Sequence, residues 1–133
     1  MTIVAGFDVH RAQITFDALN RETGDVDRGR IAATPQAVGR WVGRFPGERV
    51  EVAVEACTGR LFVCEALREA GAVAHLAEPV ETSALRGRKR RAKTDREDAR
   101  RLRELLADGR LPEAWIAPEH VRQWRSRARR ATR

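Results

Sequence analysis

The run Ile3-Val-Ala-Gly-Phe-Asp-Val9 constrains the fold more than any other stretch of the chain. It is apolar at successive positions, which predicts a strand covered on both faces and therefore central in its sheet. Asp8 is the single charge inside it. The rest of the chain has to supply neighbours for this strand. Ala12 to Ala18 alternates well enough for a second strand, reached through a tight turn at His10-Arg11. Asn20 to Asp25, with Thr23-Gly24, predicts a hairpin loop. Val26 to Ala33 is then a third strand, near an edge because its outer face is polar.

The pattern changes at Thr34-Pro35, a helix start with Thr as cap and Pro in the first turn. This helix runs to about Phe45, burying Val38, Trp41, Val42 and Phe45, and Pro46-Gly47 ends it. Val50 to Glu55 has valines at alternate positions and predicts a fourth strand, with Glu55 at its end. A second helix starts at Thr58-Gly59, buries Leu61, Phe62, Cys64 or Glu65, and Leu67, and closes at Gly71. Ala72 to Leu76 is a short fifth strand. Three meander strands followed by alternating helices and strands imply an α/β fold with a mixed five-stranded sheet and helices on its faces. The first strand is central, and the crossover through the first helix places the fourth parallel beside it.

Lys93-Thr-Asp-Arg-Glu-Asp-Ala99 opens a third helix, with Thr94 as N-cap and Glu97 completing a capping box. It ends around Asp108-Gly109. At 100° per residue Asp95, Asp98, Ala99, Leu102 and Leu106 share one narrow face, whereas Arg96, Arg100, Arg103 and Glu104 point elsewhere. Two carboxylates thus head the stripe that should be buried. Taken alone, they are equally well explained as first-turn acids complementing the helix dipole.

Charge divides the chain. The formal net charge is +7. Residues 1–85 carry 9 basic and 12 acidic side chains, whereas residues 86–133 carry 17 basic and 7 acidic ones. An acidic body with a strongly basic C-terminal third points to a polyanion, most simply nucleic acid. A membrane surface fits less well, because the basic segment has no strongly apolar opposing face. The basic loop Arg86-Gly-Arg-Lys-Arg-Arg-Ala-Lys93 concentrates this charge in Arg86, Arg88, Lys89, Arg90, Arg91 and Lys93, the candidate phosphate contacts. Cys57 and Cys64 lie two turns apart in or beside one helix, too far for a bridge, and suit a reducing compartment. With neither a signal peptide nor a bilayer-length apolar run, the chain is expected in the cytoplasm.

In the predicted sheet Asp8 and Glu55 fall at the same end of two adjacent parallel strands, and the third helix brings Asp95 and Asp98 across that end. Four like charges at short range raise one another's pKa and need cations to stay ionised. An all-oxygen ligand set suits Mg²⁺ or Mn²⁺ rather than zinc. Two such ions a few ångströms apart are the means of in-line phosphoryl transfer. Asp17, Glu51 and Glu65 read instead as surface acids, and His10 as a turn histidine outside the ligand set.

Gly6-Phe-Asp-Val-His10, Val54-Glu-Ala-Cys-Thr-Gly59 and Lys93–Ala99 together resemble the Asp-Glu-Asp-Asp signature of a group of bacterial insertion-sequence transposases with an N-terminal RuvC-like, ribonuclease H-fold domain. By this match Asp8, Glu55, Asp95 and Asp98 correspond one by one to the family's metal-binding acids. The resemblance implies a Mg²⁺- or Mn²⁺-dependent recombinase acting on DNA. Some members are guided by a structured non-coding RNA from their own element. It further implies a helical coiled-coil connection to a C-terminal domain with a nucleophilic serine, a region through which the protein would form a homo-oligomer. On this reading residues 1–110 are the RuvC-like domain. Residues 111–133, with Glu119 to Arg130 as a basic helix, are the linker toward that connection, so the chain is expected to be an N-terminal fragment. Ser83 and Ser126 are the only serines, and neither sits in a recognisable nucleophile motif.

Two rivals remain at this point: a junction-resolving endonuclease of the same fold, and a non-catalytic nucleic-acid-binding fragment. An actin-like sugar kinase shares the strand topology but would need a second glycine-rich phosphate loop, which the sequence lacks.

Overall fold

A computed structural model of the chain describes residues 2–55, 61–78 and 91–113. Strand β1 (Thr2–His10) is buried from Ile3 to Val9 and lies in the middle of a five-stranded sheet. It turns through Arg11, whose φ of 55° is left-handed, into β2 (Gln13–Asn20). The two strands pair antiparallel, with Asp8 opposite Thr15 and Gly6 opposite Asp17. Strand β3 (Val26–Ala32) adds to β2 and forms one edge.

Helix α1 (Pro35–Val42) starts as expected, Thr34 Oγ1 accepting the Ala37 backbone N–H at 3.1 Å. It stops at Val42, one turn before the predicted end, with Gly43 as its cap. Phe45 lies beyond the helix and still packs against the core. After α1 the chain returns as β4 (Arg49–Glu55), parallel to β1 on the side away from β2. Helix α2 (Leu61–Glu69) and β5 (Val73–Ala77) complete a second parallel step, giving the order β3-β2-β1-β4-β5. Within α2 Val63, Cys64, Ala66 and Leu67 are buried and Phe62 packs half-buried against the core, so the inner face includes Val63 and Ala66 beside the expected Phe62, Cys64 and Leu67. Burial raises the pKa of the Cys64 thiol, which stays protonated.

The alternation of β1 splits the molecule into two layers. Ile3, Ala5, Phe7 and Val9 join Ile14, Phe16, Val50, Val52 and Val54 in the main core beneath α1 and α2. Trp41, 1% exposed, fills its centre, with ring centroids 4.8 Å from Phe7, 5.6 Å from Phe16 and 5.2 Å from Phe45. The opposite face is covered by α3 (Arg91–Ala107), and its small apolar cluster contains Ala53, Ala77 and Leu102, with Leu106 and Leu111 packed against it. Helices α2 and α3 end alike. Gly71 and Gly109 take positive φ, and the next residue's N–H returns to the carbonyl five positions back, Ala72 to Leu67 and Arg110 to Leu105. Among the described residues no helix is long and apolar enough to cross a membrane.

Gly39 occupies an interior position of α1 where an added Cβ would meet nothing within 4 Å. Gly39→Ala is therefore expected to stabilise the fold by about 0.5–1 kcal/mol, through helix propensity and a less flexible unfolded chain. Urea denaturation measures it, and a lower midpoint would contradict the open space above this turn.

Candidate functional site

The α3 side of the sheet is acidic at its floor. Asp8 follows Gly6 by two residues on β1, and Glu55 follows Ala53 by two on β4, so both face the helix that packs on Gly6 and Ala53. The parallel register pairs Phe7 with Val54. Asp8 and Glu55 come next on their strands, about one ladder spacing of ~4.8 Å apart. Asp8 is 6% exposed and Glu55 half-buried, and both make polar or electrostatic interactions within the chain. Asp8 Oδ2 is fully enclosed.

The close approach of α3 explains how a helix can reach these strand positions. A Cβ on Gly6 would lie 2.0 Å from the Ala99 carbonyl oxygen, 2.8 Å from the Arg103 nitrogen and 2.9 Å from the Leu102 Cβ. Backbone meets backbone here, and Ala53, Ala77 and Ala99 keep the neighbouring contacts equally thin. The expected stripe is present: Ala99 and Leu102 are buried, Asp95, Asp98 and Leu106 half-buried, and Arg96, Glu97 and Arg100 exposed.

Three expectations about this helix need correction. It begins at Arg91, so Thr94 lies inside it and does not cap it. Arg91 and Lys93 consequently belong to the helix rather than to a loop, while Arg86, Arg88, Lys89 and Arg90 fall outside the described residues. Arg103 does not point away from the stripe; its side chain is 11% exposed and turned to the sheet.

The partner of Arg103 is a residue that sequence reasoning placed on the surface. Asp17, on β2, is 1% exposed. Its Oδ1 accepts from Arg103 Nε at 2.8 Å, and its Oδ2 accepts from Arg28 Nε at 2.7 Å. One carboxylate therefore ties α3, β2 and β3 together. Glu51 was also misread: it is 22% exposed and lies 3.0 Å from His75 Nε2, with Arg49 on its other side. His75 also contacts Glu113 through Nδ1, where residue 113 forms an antiparallel bridge with Ala77 on β5. No local signal marks Asp17, because only the packing of α3 dries its side of β2. Ile14, Phe16 and Ala18 face the main core, which leaves Asp17 on the side that a helix packing on Gly6 must cover.

Beside Asp17 the surface opens into a groove of about 400 Å³ between β2–β3 and the exposed side of α3, lined by Thr15, Arg28, Arg30 and Arg96 among others. The four acids singled out from sequence are thus distributed as Asp8 and Glu55 on adjacent strand ends and Asp95 and Asp98 on the covering helix. Their oxygen-only chemistry suits a hard divalent ion. Among the described residues no three His, Cys, Asp or Glu side chains are grouped closely enough to hold one. The acids share a face of the fold without forming a closed shell.

A mixed sheet in this order, with a central strand flanked by one antiparallel and one parallel neighbour and helices on both faces, places the chain among ribonuclease H-like α/β domains of the RuvC type. Its family is more specific. The model of the IS110 DEDD family, described as transposase, matches residues 5–133, and the chain belongs to that family as its N-terminal RuvC-like domain. No curated protein matches the chain.

Proposed function

We propose that this transposase domain binds DNA and contributes Asp8, Glu55, Asp95 and Asp98 to a divalent-metal site for strand cleavage and transfer during transposition. The observation that carries the reading is the placement of Asp8 and Glu55. They occupy adjacent ends of the two central parallel strands, on the one face that the Asp95–Asp98 stripe of α3 covers. These carboxylates would hold a Mg²⁺ or Mn²⁺ ion, or a pair of them, which would supply Lewis acidity for phosphoryl transfer. The chain's own part is to present oxygens from a rigid strand pair and to bring two more from a helix. Enclosure of Asp8 by the sheet and α3 keeps bulk water from competing for its carboxylate. Basic side chains hold the DNA backbone in reach.

The finer parts of the reading rest on the basic C-terminal third and on the family resemblance: Arg86, Arg88, Lys89, Arg90, Arg91 and Lys93 as phosphate contacts, a structured guide RNA, and homo-oligomerisation through further chain; a cytoplasmic location rests on cysteines suited to a reducing compartment.

Isothermal titration of Mg²⁺ and Mn²⁺ tests the site. Asp8→Ala is expected to abolish ion binding while the circular dichroism spectrum and urea midpoint stay at or slightly above wild type, since Glu55 on the neighbouring strand loses a like charge beside it. Unchanged ion binding in Asp8→Ala would remove Asp8 from the site. A nicking assay on branched and linear DNA then separates a transposase domain from an enzyme that resolves junctions unaided.

A further inference from the structure

The groove beside Asp17 has no role in the carboxylate site, yet its composition is unusual for an idle surface. Arg28 and Arg30 enter it from β3, and Arg96 enters it from α3. Arg28 is committed to Asp17 through Nε but remains 54% exposed, so the outer part of its guanidinium faces solvent. Arg30 and Arg96 are exposed and form no ion pair among the described residues. The single acid at the floor is Asp17, already matched by Arg28 and Arg103. Three cations thus surround an open cleft that, among the described residues, holds no acid besides the already paired Asp17.

The cleft is also registered to Asp8. In the sheet Asp8 pairs with Thr15, and Thr15 pairs with Arg30. Asp8, Thr15 and Arg30 form one row across three strands, which puts the Arg30 Cα about 10 Å from that of Asp8 at two ladder spacings. The next row is Gly6, Asp17 and Arg28. Arg96 reaches the same cleft from the helix turn that holds Asp95 and Asp98. Guanidinium groups present forked donors that match phosphate oxygens, and several around one open cleft suit a chain of phosphates better than a single small anion.

We propose that this groove is a phosphodiester seat: Arg30 and Arg96, backed by Arg28, hold the backbone of a DNA strand as it runs toward Asp8. The proposal rests on the DNA-processing reading above and adds a location and a direction to it. The seat reads no bases; it sets which stretch of backbone lies over the acids.

The test uses the full chain and a fluorescein-labelled 20-nucleotide DNA, single-stranded and duplex, with an RNA of the same sequence as a third probe. Fluorescence anisotropy is followed from low to high salt. Arg30→Ala/Arg96→Ala is expected to weaken DNA binding and to flatten the plot of log K against log salt by about 2, roughly one for each cation removed. Arg40→Ala/Arg68→Ala removes the same charge from the last turns of α1 and α2, on the opposite layer, and should leave the slope at the wild-type value. Arg30→Lys/Arg96→Lys keeps the charge and should restore most of the slope, which guards against a folding defect in the alanine variant. Equal flattening by the two alanine pairs would reduce the effect to net charge and overturn the seat. So would an unchanged slope in Arg30→Ala/Arg96→Ala while wild type binds DNA, and in that case the DNA reading itself survives. Absence of DNA binding by wild type at any salt overturns both. A loss confined to the RNA probe overturns the assignment of the groove to DNA.

Discussion

Gly6→Ala should destabilise the domain by about 3 kcal/mol or more, at the upper end of what overpacking costs, because the new methyl meets backbone on a neighbouring helix. The obstructing atom is the Ala99 carbonyl oxygen, 2.0 Å from where the Cβ would stand, with the Arg103 nitrogen and Leu102 Cβ within 2.9 Å. No side-chain rotation relieves it. The helix has to lift from β1, and as it lifts it opens the apolar cluster of Ala53, Ala77 and Leu102 and withdraws Arg103 from Asp17. Urea denaturation of Gly6→Ala beside Gly39→Ala gives the cleanest reading, since the same substitution is predicted to act in opposite directions. A wild-type midpoint in Gly6→Ala would mean that α3 does not sit on β1 as described.

Asp17→Ala carries the second large effect. Removing one partner of a buried ion pair leaves the other charge uncompensated, which costs about 3–5 kcal/mol. Here the stranded group is Arg103, 11% exposed, whereas Arg28 is half in solvent and suffers little. Exchanging the pair for packed apolar groups, Asp17→Leu/Arg103→Met, should recover most of the loss, because desolvation of both charges is then avoided. A domain stable by 5–15 kcal/mol, the range typical of folded proteins, would give up a large share of its margin in Asp17→Ala. Denaturation midpoints for the two variants decide it: a small loss in Asp17→Ala, or no recovery in the double variant, would show that Asp17 is not the clasp.

The contrast between these two residues shows what the sequence made legible. The five strands, the central place of β1 and the parallel step from β1 to β4 follow from local signals: a doubly apolar run, alternating valines and a Thr-Pro cap. Asp8 stands out as the lone acid in an apolar strand, and Glu55 by its place at the end of the parallel neighbour. Asp17 does not, because β2 alternates, and alternation is the mark of a strand with one wet face. Its dryness is imposed by partners 11 and 86 residues away, and only the tertiary packing of α3 reveals them. The start of α3 failed for a different reason. Thr94 and Glu97 form an acceptable capping pattern, but the residues before them are equally compatible with helix, and the helix continues back to Arg91.

The anchors of α3 have a mechanical consequence. Gly6 meets the helix at Ala99 and Leu102, Asp17 holds Arg103, and Leu106 packs beside Leu111, just before Pro112 receives the Glu78 N–H at 2.8 Å. These anchors lie at or beyond Ala99, and Asp95 and Asp98 sit on the arm of the helix that is N-terminal to them. At 1.5 Å per residue Asp95 stands about 10 Å from the Leu102 fulcrum, and a tilt of about 5° there carries it through nearly 1 Å. Displacements of that size separate productive from unproductive placement of reacting groups. In the proposed metal site the strand carboxylates would form the fixed side, and those on the helix the side that such a tilt adjusts.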